Sequence, residues 1–198
     1  MNHILFKGTN EQNKYKITNY QKGEVIFNEG DECFSIYLLL SGEVTISKLT
    51  ENGKQYVINY LKKDDIFGDS LIFSDNNKFL GDGEAKTNVS LIKLNKNDFL
   101  NILKNDLCLL NYLEYTSKRN MQIRKELKIL SISNYKERIL FYLEQKNTAT
   151  IKIKSKELLA KELNMPRPSL SRELINLKKE NIIDYDKHQI TLMKKGTI

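Results

Sequence analysis

The sequence predicts an α+β protein: an N-terminal β-roll, one long helix, and a small C-terminal unit of helices and a β-hairpin. Three observations carry that expectation. Seven of the nine glycines lie between Gly23 and Gly83, and none lies between Glu84 and Lys195. Glycine at short intervals among β-branched and aromatic runs marks short strands joined by tight turns. From Lys96 onward the apolar spacing changes to steps of three and four, the period of a helix. Both prolines, Pro166 and Pro168, stand together where two short helical patterns meet.

Several strands are readable in the first unit. Val25-Ile26-Phe27, Ser35 to Leu40 and Val89 to Leu94 are runs of β-forming residues. Val44, Ile46 and Lys48 alternate with Thr45, Ser47 and Leu49, which predicts a strand buried on one face only. Tyr56 to Leu61 follows, and Asn52-Gly53 between the two is a strong hairpin signal. An all-β unit of this kind closes into a barrel or roll, because closure leaves few open edges. Its expected extent, with the short helix Asp98 to Leu103, is residues 1–104.

The segment 105–133 is expected to be one helix and its hinge. Leu109, Leu113, Thr116, Asn120, Ile123, Leu127 and Leu130 follow each other at alternating steps of four and three. That is a coiled-coil seam of about three heptads, and Asn120 at an a-type position suits a two-stranded state in fixed register. The other reading is an ordinary amphipathic helix packed on the β unit. Ser131-Ile132-Ser133-Asn134 breaks the helix and can cap the next one.

Residues 134–198 form the third expected unit. Helical sequence runs from Tyr135 to Glu144, and Thr150 to Lys154 alternates as a short strand. Ser155 is placed to cap a helix from Lys156 to Leu163. Ala160 is small enough for two helices to cross closely, and Asn164 tolerates the positive φ of a tight turn. Pro166 suits the opening of the next helix, whose buried stripe is Leu170, Leu174 and Leu177. Arg167, Ser169 and Arg172 then face outward at its N-terminal end. In a helix-turn-helix that end meets base edges in the major groove of DNA. An arginine fork matches guanine O6 and N7, and serine hydroxyls with free N–H groups suit phosphate oxygens. Ile182 to Tyr185 and Gln189 to Leu192 flank the turn Asp186-Lys187-His188, a hairpin in the position of a wing.

Charge agrees with that placement. Residues 1–133 carry 18 Lys and Arg against 17 Asp and Glu, whereas residues 134–198 carry 14 against 8. Most of the net charge of +7 therefore sits in the last third, which makes it the candidate polyanion-binding unit, the other reading of the charge alone being a solvated lysine-rich surface. The longest unbroken apolar run, Ile36 to Leu40, is far too short to span a bilayer. No secretory h-region is visible at the N-terminus. With only Cys33 and Cys108 there is no disulfide framework, so a cytoplasmic setting is expected, and no membrane partner.

With these residues in view, the sequence resembles the Crp–Fnr family of bacterial transcription regulators over nearly its whole length. The resemblance rests on Gly23 to Asp31, Tyr37-Leu38, Gly42-Glu43-Val44, Ile66 to Leu71 and Ala85-Lys86-Thr87, which look like a cyclic-nucleotide-binding-type roll and its phosphate-binding cassette. It implies a homodimer that binds double-stranded DNA, with a winged helix-turn-helix whose candidate contacts are Arg167, Pro168, Ser169, Ser171 and Arg172. RNA polymerase is an implied partner if the protein activates. The implied effector pocket comprises Gly68, Asp69, Ser70, Phe79 and Leu80. Here the sequence departs from the family. Where its cyclic-AMP-binding members carry an Arg-Ser pair for the cyclic phosphate, this chain has Phe79-Leu80, and Asp69 stands at their glutamate. Without a cation a buried phosphate lacks its charged partner, so cyclic AMP is not the expected effector. Pro168 occupies the place of a glutamate that many members use to read cytosine.

Other classes fit less well. A metal-dependent enzyme on the roll needs clustered His and carboxylate ligands, and His3 and His188 lie outside it. Two cysteines do not supply an iron–sulfur ligand set, and only His3 is available in the roll unit for haem. No metal, cofactor or catalytic residue is therefore expected. A ligand-sensing module that acts through protein contacts without touching DNA remains the alternative.

Overall fold

The computed structural model describes residues 2–50, 52–146 and 148–193. In chain order the strands and helices are β1 (Ile17–Tyr20), β2 (Val25–Phe27), β3 (Ile36–Ser41), β4 (Glu43–Leu49), β5 (Gln55–Lys62), β6 (Ile66–Phe67), α1 (Asp69–Ile72), β7 (Asp82–Ala85), β8 (Val89–Leu94), α2 (Lys96–Ile102), α3 (Asp106–Ser131), α4 (Tyr135–Gln145), β9 (Thr150–Lys152), α5 (Lys156–Glu162), α6 (Arg167–Lys179), β10 (Ile183–Tyr185) and β11 (Gln189–Leu192). By compactness the chain divides at residues 117 and 118, inside α3, so each unit holds one half of the long helix.

The first unit is the expected roll. Two four-stranded sheets, ordered β1-β8-β3-β6 and β2-β7-β4-β5, are antiparallel at every pairing. They share a core of Phe27, Val44 and Ala85 from one sheet with Tyr37, Leu39, Phe67 and Leu91 from the other. The sheet containing β3 is covered on its second face as well. There Ile36, Leu38, Ile92 and Leu94 meet Leu5, Phe6, Phe99, Ile102 and Cys108. Burial on both faces is why Ile36 to Leu40 reads as an unbroken apolar run rather than an alternating one.

One expectation needs correcting. The alternation along β4 predicts burial on one face only, yet Thr45 and Ser47 are buried as well as Val44. β4 is an interior strand, and Thr45 lies between Tyr60 and Glu84 in register, so its short side chain is shaded by longer neighbours. The hydroxyl of Ser47 is used, accepting from Gln55 Nε2 at 2.8 Å. A register shift at Ile46/Ser47 adds one residue to β5. β5 is an edge strand of its sheet, and Tyr56, Ile58 and Tyr60 on it are exposed.

The second unit packs α4, α5 and α6 on a three-stranded sheet ordered β10-β11-β9. Asn134 caps α4, accepting from the backbone N–H of Lys136 at 2.8 Å and Glu137 at 3.2 Å. Ser155 caps α5 through Leu158 N–H at 3.1 Å. From α3, Ile129 is buried in this same core. No helix among the described residues is long and apolar enough to cross a membrane.

Candidate nucleic-acid interface and effector pocket

The turn between α5 and α6 is built by backbone hydrogen bonding. Asn164 has φ +45°, its N–H donates to Lys161 O at 3.0 Å, and Met165 N–H donates to Ala160 O at 3.0 Å. This paired closure is a Schellman motif, with asparagine in the left-handed position that glycine usually takes. Ala160 and Met165 close it on the apolar side, both buried. The same device ends α6, where Asn181 has φ +57° and Ile182 N–H donates to Leu177 O at 3.0 Å.

α6 is oriented by its leucines: Leu170, Leu174 and Leu177 are fully buried. The opposite face carries the candidate contacts. Arg167, Pro168 and Arg172 are exposed, and Ser169 and Ser171 are half-buried beside them. Arg172 Nη2 lies 3.4 Å from Ser169 Oγ, and among the described residues neither arginine is in an ion pair. Pro166 stands at the N-cap without a side-chain cap, and Pro168 contributes no N–H. The first-turn amides left to bond outward are those of Arg167 and Ser169. Ile175, 46% exposed, lies three residues beyond Arg172 and extends the same face. Its helical spacing from Arg172 was the signal that marks it, although the expected contacts stop at Arg172.

The hairpin β10–β11 is closed by Asp186, whose Oδ1 accepts from His188 N–H at 2.7 Å and Gln189 N–H at 2.9 Å. Those bonds hold the Asp186 carboxyl below the usual carboxylate range. Lys187 and His188 are left exposed at the tip. Lys178 is committed locally: its ammonium sits 2.6 Å from Asp184 and lowers the pKa of that carboxyl by hydrogen bonding.

On α3 the seven seam positions form one stripe. Leu109, Leu113, Ile123, Leu127 and Leu130 are exposed in the single chain, each between 38% and 59%. Asn120 is exposed with them and Thr116 is half-buried. The Thr116 hydroxyl donates back to Tyr112 O at 3.0 Å or Leu113 O at 3.1 Å, so only its methyl is presented. The face of α3 that does pack on the roll is a different one, with Cys108, Tyr112 and Tyr115. The packing on the roll therefore uses one face of α3, and the seam positions lie on another.

The effector-pocket residues fall into two groups. Gly68, Asp69 and Phe79 are buried, whereas Ser70 and Leu80 are exposed and do not point into the roll with them. Phe79 stacks on Phe27 with ring centroids 3.7 Å apart. Tyr37 stacks on Phe67 at 4.7 Å beside them. Burial among these rings pushes the Tyr37 hydroxyl up to about 12. The Phe27 ring occupies the space where a side chain at residue 83 would begin: a Cβ on Gly83 would lie 2.3 Å from it. Asp69 accepts from Tyr112 Oη of α3 at 3.1 Å. The hydroxyl of Tyr115 takes the N–H of Ile66 at 2.9 Å. The cassette is therefore tied to the helix by two tyrosines that sequence reasoning did not single out.

His3 is held structurally. Its Nδ1 accepts from Leu5 N–H at 3.1 Å and its Nε2 faces Asp65 O at 3.4 Å. Burial lowers its pKa, so the neutral ring has both nitrogens engaged. Burial likewise raises the Cys33 and Cys108 thiols above the usual thiol range.

A β-roll, a long helix and a small unit of helices with a β-hairpin is an order of elements found again in other proteins. Residues 17–106 match the cyclic nucleotide-binding domain family. The chain is 23% identical over 186 residues to the anaerobic regulatory protein of Bacillus subtilis, covering 88% of this chain and 78% of that one. It is 22% identical over 192 residues to the cAMP-activated global transcriptional regulator CRP of Salmonella typhimurium, covering 91% and 90%. The fold is shared with CprK solved in complex with OCPA, at a TM-score of 0.66 and 20% identity, covering 96% and 92%. Residues 17–106 thus match a cyclic nucleotide-binding domain, and over most of its length the chain is similar to regulators of the Crp–Fnr type.

Proposed function

We propose that this protein is a homodimeric, cytoplasmic transcription regulator that reads a two-fold symmetric site in double-stranded DNA through α6, and that its effector is not cyclic AMP. It is not an enzyme. One observation carries the DNA reading: Arg167 and Arg172 stand exposed at the N-terminal end of a helix whose opposite face, Leu170, Leu174 and Leu177, is fully buried. Such a helix has one face to offer, and that face bears two guanidinium forks at the end a major groove admits. Pairing through the α3 seam supplies the second recognition helix. If the protein activates, RNA polymerase is its further partner.

The effector reading rests on Phe79. By resemblance, Phe79 takes the position of the arginine that holds a cyclic phosphate, and its ring is stacked on Phe27. Burying a phosphate against phenyl rings leaves the anion without a charged partner, at a cost of several kcal/mol, about 2–7 even for a neutral polar group.

Thermal melting with three additives tests both parts. A random-sequence duplex at low salt binds the native state and raises the melting temperature by mass action, by a few degrees per kcal/mol for a chain of roughly this size. That rise should shrink as salt is added, because phosphate contacts release counterions. Cyclic AMP and cyclic GMP at micromolar concentration should leave the curve where it was. A saturable rise with either nucleotide contradicts the effector assignment. Absence of any response to DNA at low salt favours the alternative, a sensing module that acts through protein contacts alone.

A further inference from the structure

Arg138 lies on α4 between Tyr135 and Tyr142, on the face that packs into the second unit's core, and it is 7% exposed. Its guanidinium bonds three backbone carbonyls. Nε and Nη2 donate to Ile132 O at 2.8 and 2.5 Å, and Nη1 donates to Leu163 O at 3.1 Å and Asn164 O at 2.8 Å. The Tyr135 ring centroid is 5.4 Å from the guanidinium carbon.

These three carbonyls sit where the backbone cannot use them. Ile132 lies in the break between α3 and α4, and Leu163 and Asn164 follow the last turn of α5, where helix carbonyls run out of amide partners. One planar fork satisfies all three, and a fork does this where a point charge on a flexible stem does not. The two ends of the pin have different neighbours. Ile132 is two residues past Leu130, the last seam position, while Asn164 is three residues before Arg167, the first candidate base contact. The second unit contains both ends, so the path from seam to recognition helix runs Leu130, Ile132, Arg138, Asn164, Arg167 within one compact body.

We propose that Arg138 is a positioning residue that sets the separation at which a dimer presents its two recognition helices, without itself reading DNA. The proposal rests on the DNA-binding reading above. With the pin in place, the hinge and the helix-turn-helix turn move as one, and the half-site spacing is fixed. Without it, the polar ties left on α4 among the described residues are Tyr142 to Glu162 and Lys136 to Glu180, neither of which engages Ile132 or the carbonyls of Leu163 and Asn164, and the rest is apolar packing such as Ile129, which tolerates sliding.

The test uses the full chain and duplexes that differ only in the spacer between half-sites: the preferred length, one base pair shorter and one base pair longer. One base pair rotates and shifts a half-site, so wild type should discriminate by roughly tenfold or more, as expected when duplex or protein must deform. Arg138→Lys and Arg138→Met should narrow that ratio to about twofold while the base preferences inside each half-site stay unchanged. A folded variant that keeps the wild-type spacing ratio overturns the proposal, whatever its absolute affinity. So does a variant that loses spacing and base preference together, or an Arg138→Lys protein that does not fold even in the cold, because Arg138 is then a core residue and nothing more. Failure of the DNA-binding reading shows separately, as absence of sequence preference in wild type.

Discussion

Replacing Ile123 and Leu127 together with lysine should convert the protein from a dimer to a monomer. Both side chains are exposed in the single chain, Ile123 at 45% and Leu127 at 59%, on the stripe that also holds Leu109, Leu113 and Leu130. A seam of this period buries its a and d residues only against a second helix. In a dimer the double substitution places four ammonium groups in that seam, facing like charges. At even about 2 kcal/mol apiece, the dissociation constant rises by roughly 10⁶-fold. The monomer itself should remain folded, because the face of α3 that packs on the roll, Cys108, Tyr112 and Tyr115, is not touched. Sedimentation reads the outcome, and an unchanged dimer places the interface elsewhere. The monomer should also lose about 10²–10⁴-fold in affinity for a two-half-site duplex, since the second helix no longer arrives at high effective concentration.

The second large effect is expected at Arg172 and Pro168. Arg172 is exposed and outside every described ion pair, so its fork is available to a guanine edge. Loss of a bidentate arginine contact costs about 1–3 kcal/mol at its own base pair. Arg172→Ala should therefore relax one symmetric pair of positions and leave the others as they were. Pro168 has no hydrogen-bonding side chain, so the base pair opposite it is chosen loosely or through apolar contact with a thymine methyl. Pro168→Glu supplies an acceptor for cytosine N4 and should create a C·G preference at a neighbouring pair. Competition binding against single base-pair substitutions checks both. A uniform loss over every duplex makes Arg172 a phosphate contact instead.

What could be read without coordinates was whatever depends on local periodicity. The exposed apolar stripe of α3, the Leu170/Leu174/Leu177 stripe, the turn at Asn164 and the caps at Asn134 and Ser155 all follow from residues a few positions apart. What could not be read depended on partners far along the chain. Phe79 announced the absence of a cation, but its stacking on Phe27, 52 residues earlier, and the gap at Gly83 that admits the ring are three-dimensional facts. The burial of Thr45 and Ser47 came from the shading of an interior strand, which a period-two pattern does not encode. Arg138 was legible in principle: it falls on the helical face of Tyr135, Ile139 and Tyr142, where a charge inside an apolar stripe signals a buried, bonded group. The acceptors that give it a role, at Ile132, Leu163 and Asn164, are carbonyls, and the backbone leaves no mark in a sequence.

Selection of wild-type protein against a pool of random duplexes tests the central claim most directly. The account predicts enrichment of a two-fold symmetric sequence with guanines in each half-site, the half-site centres about one helical turn, roughly 34–36 Å, apart. Recovery of no common sequence, or of a single asymmetric site bound by one chain, contradicts it.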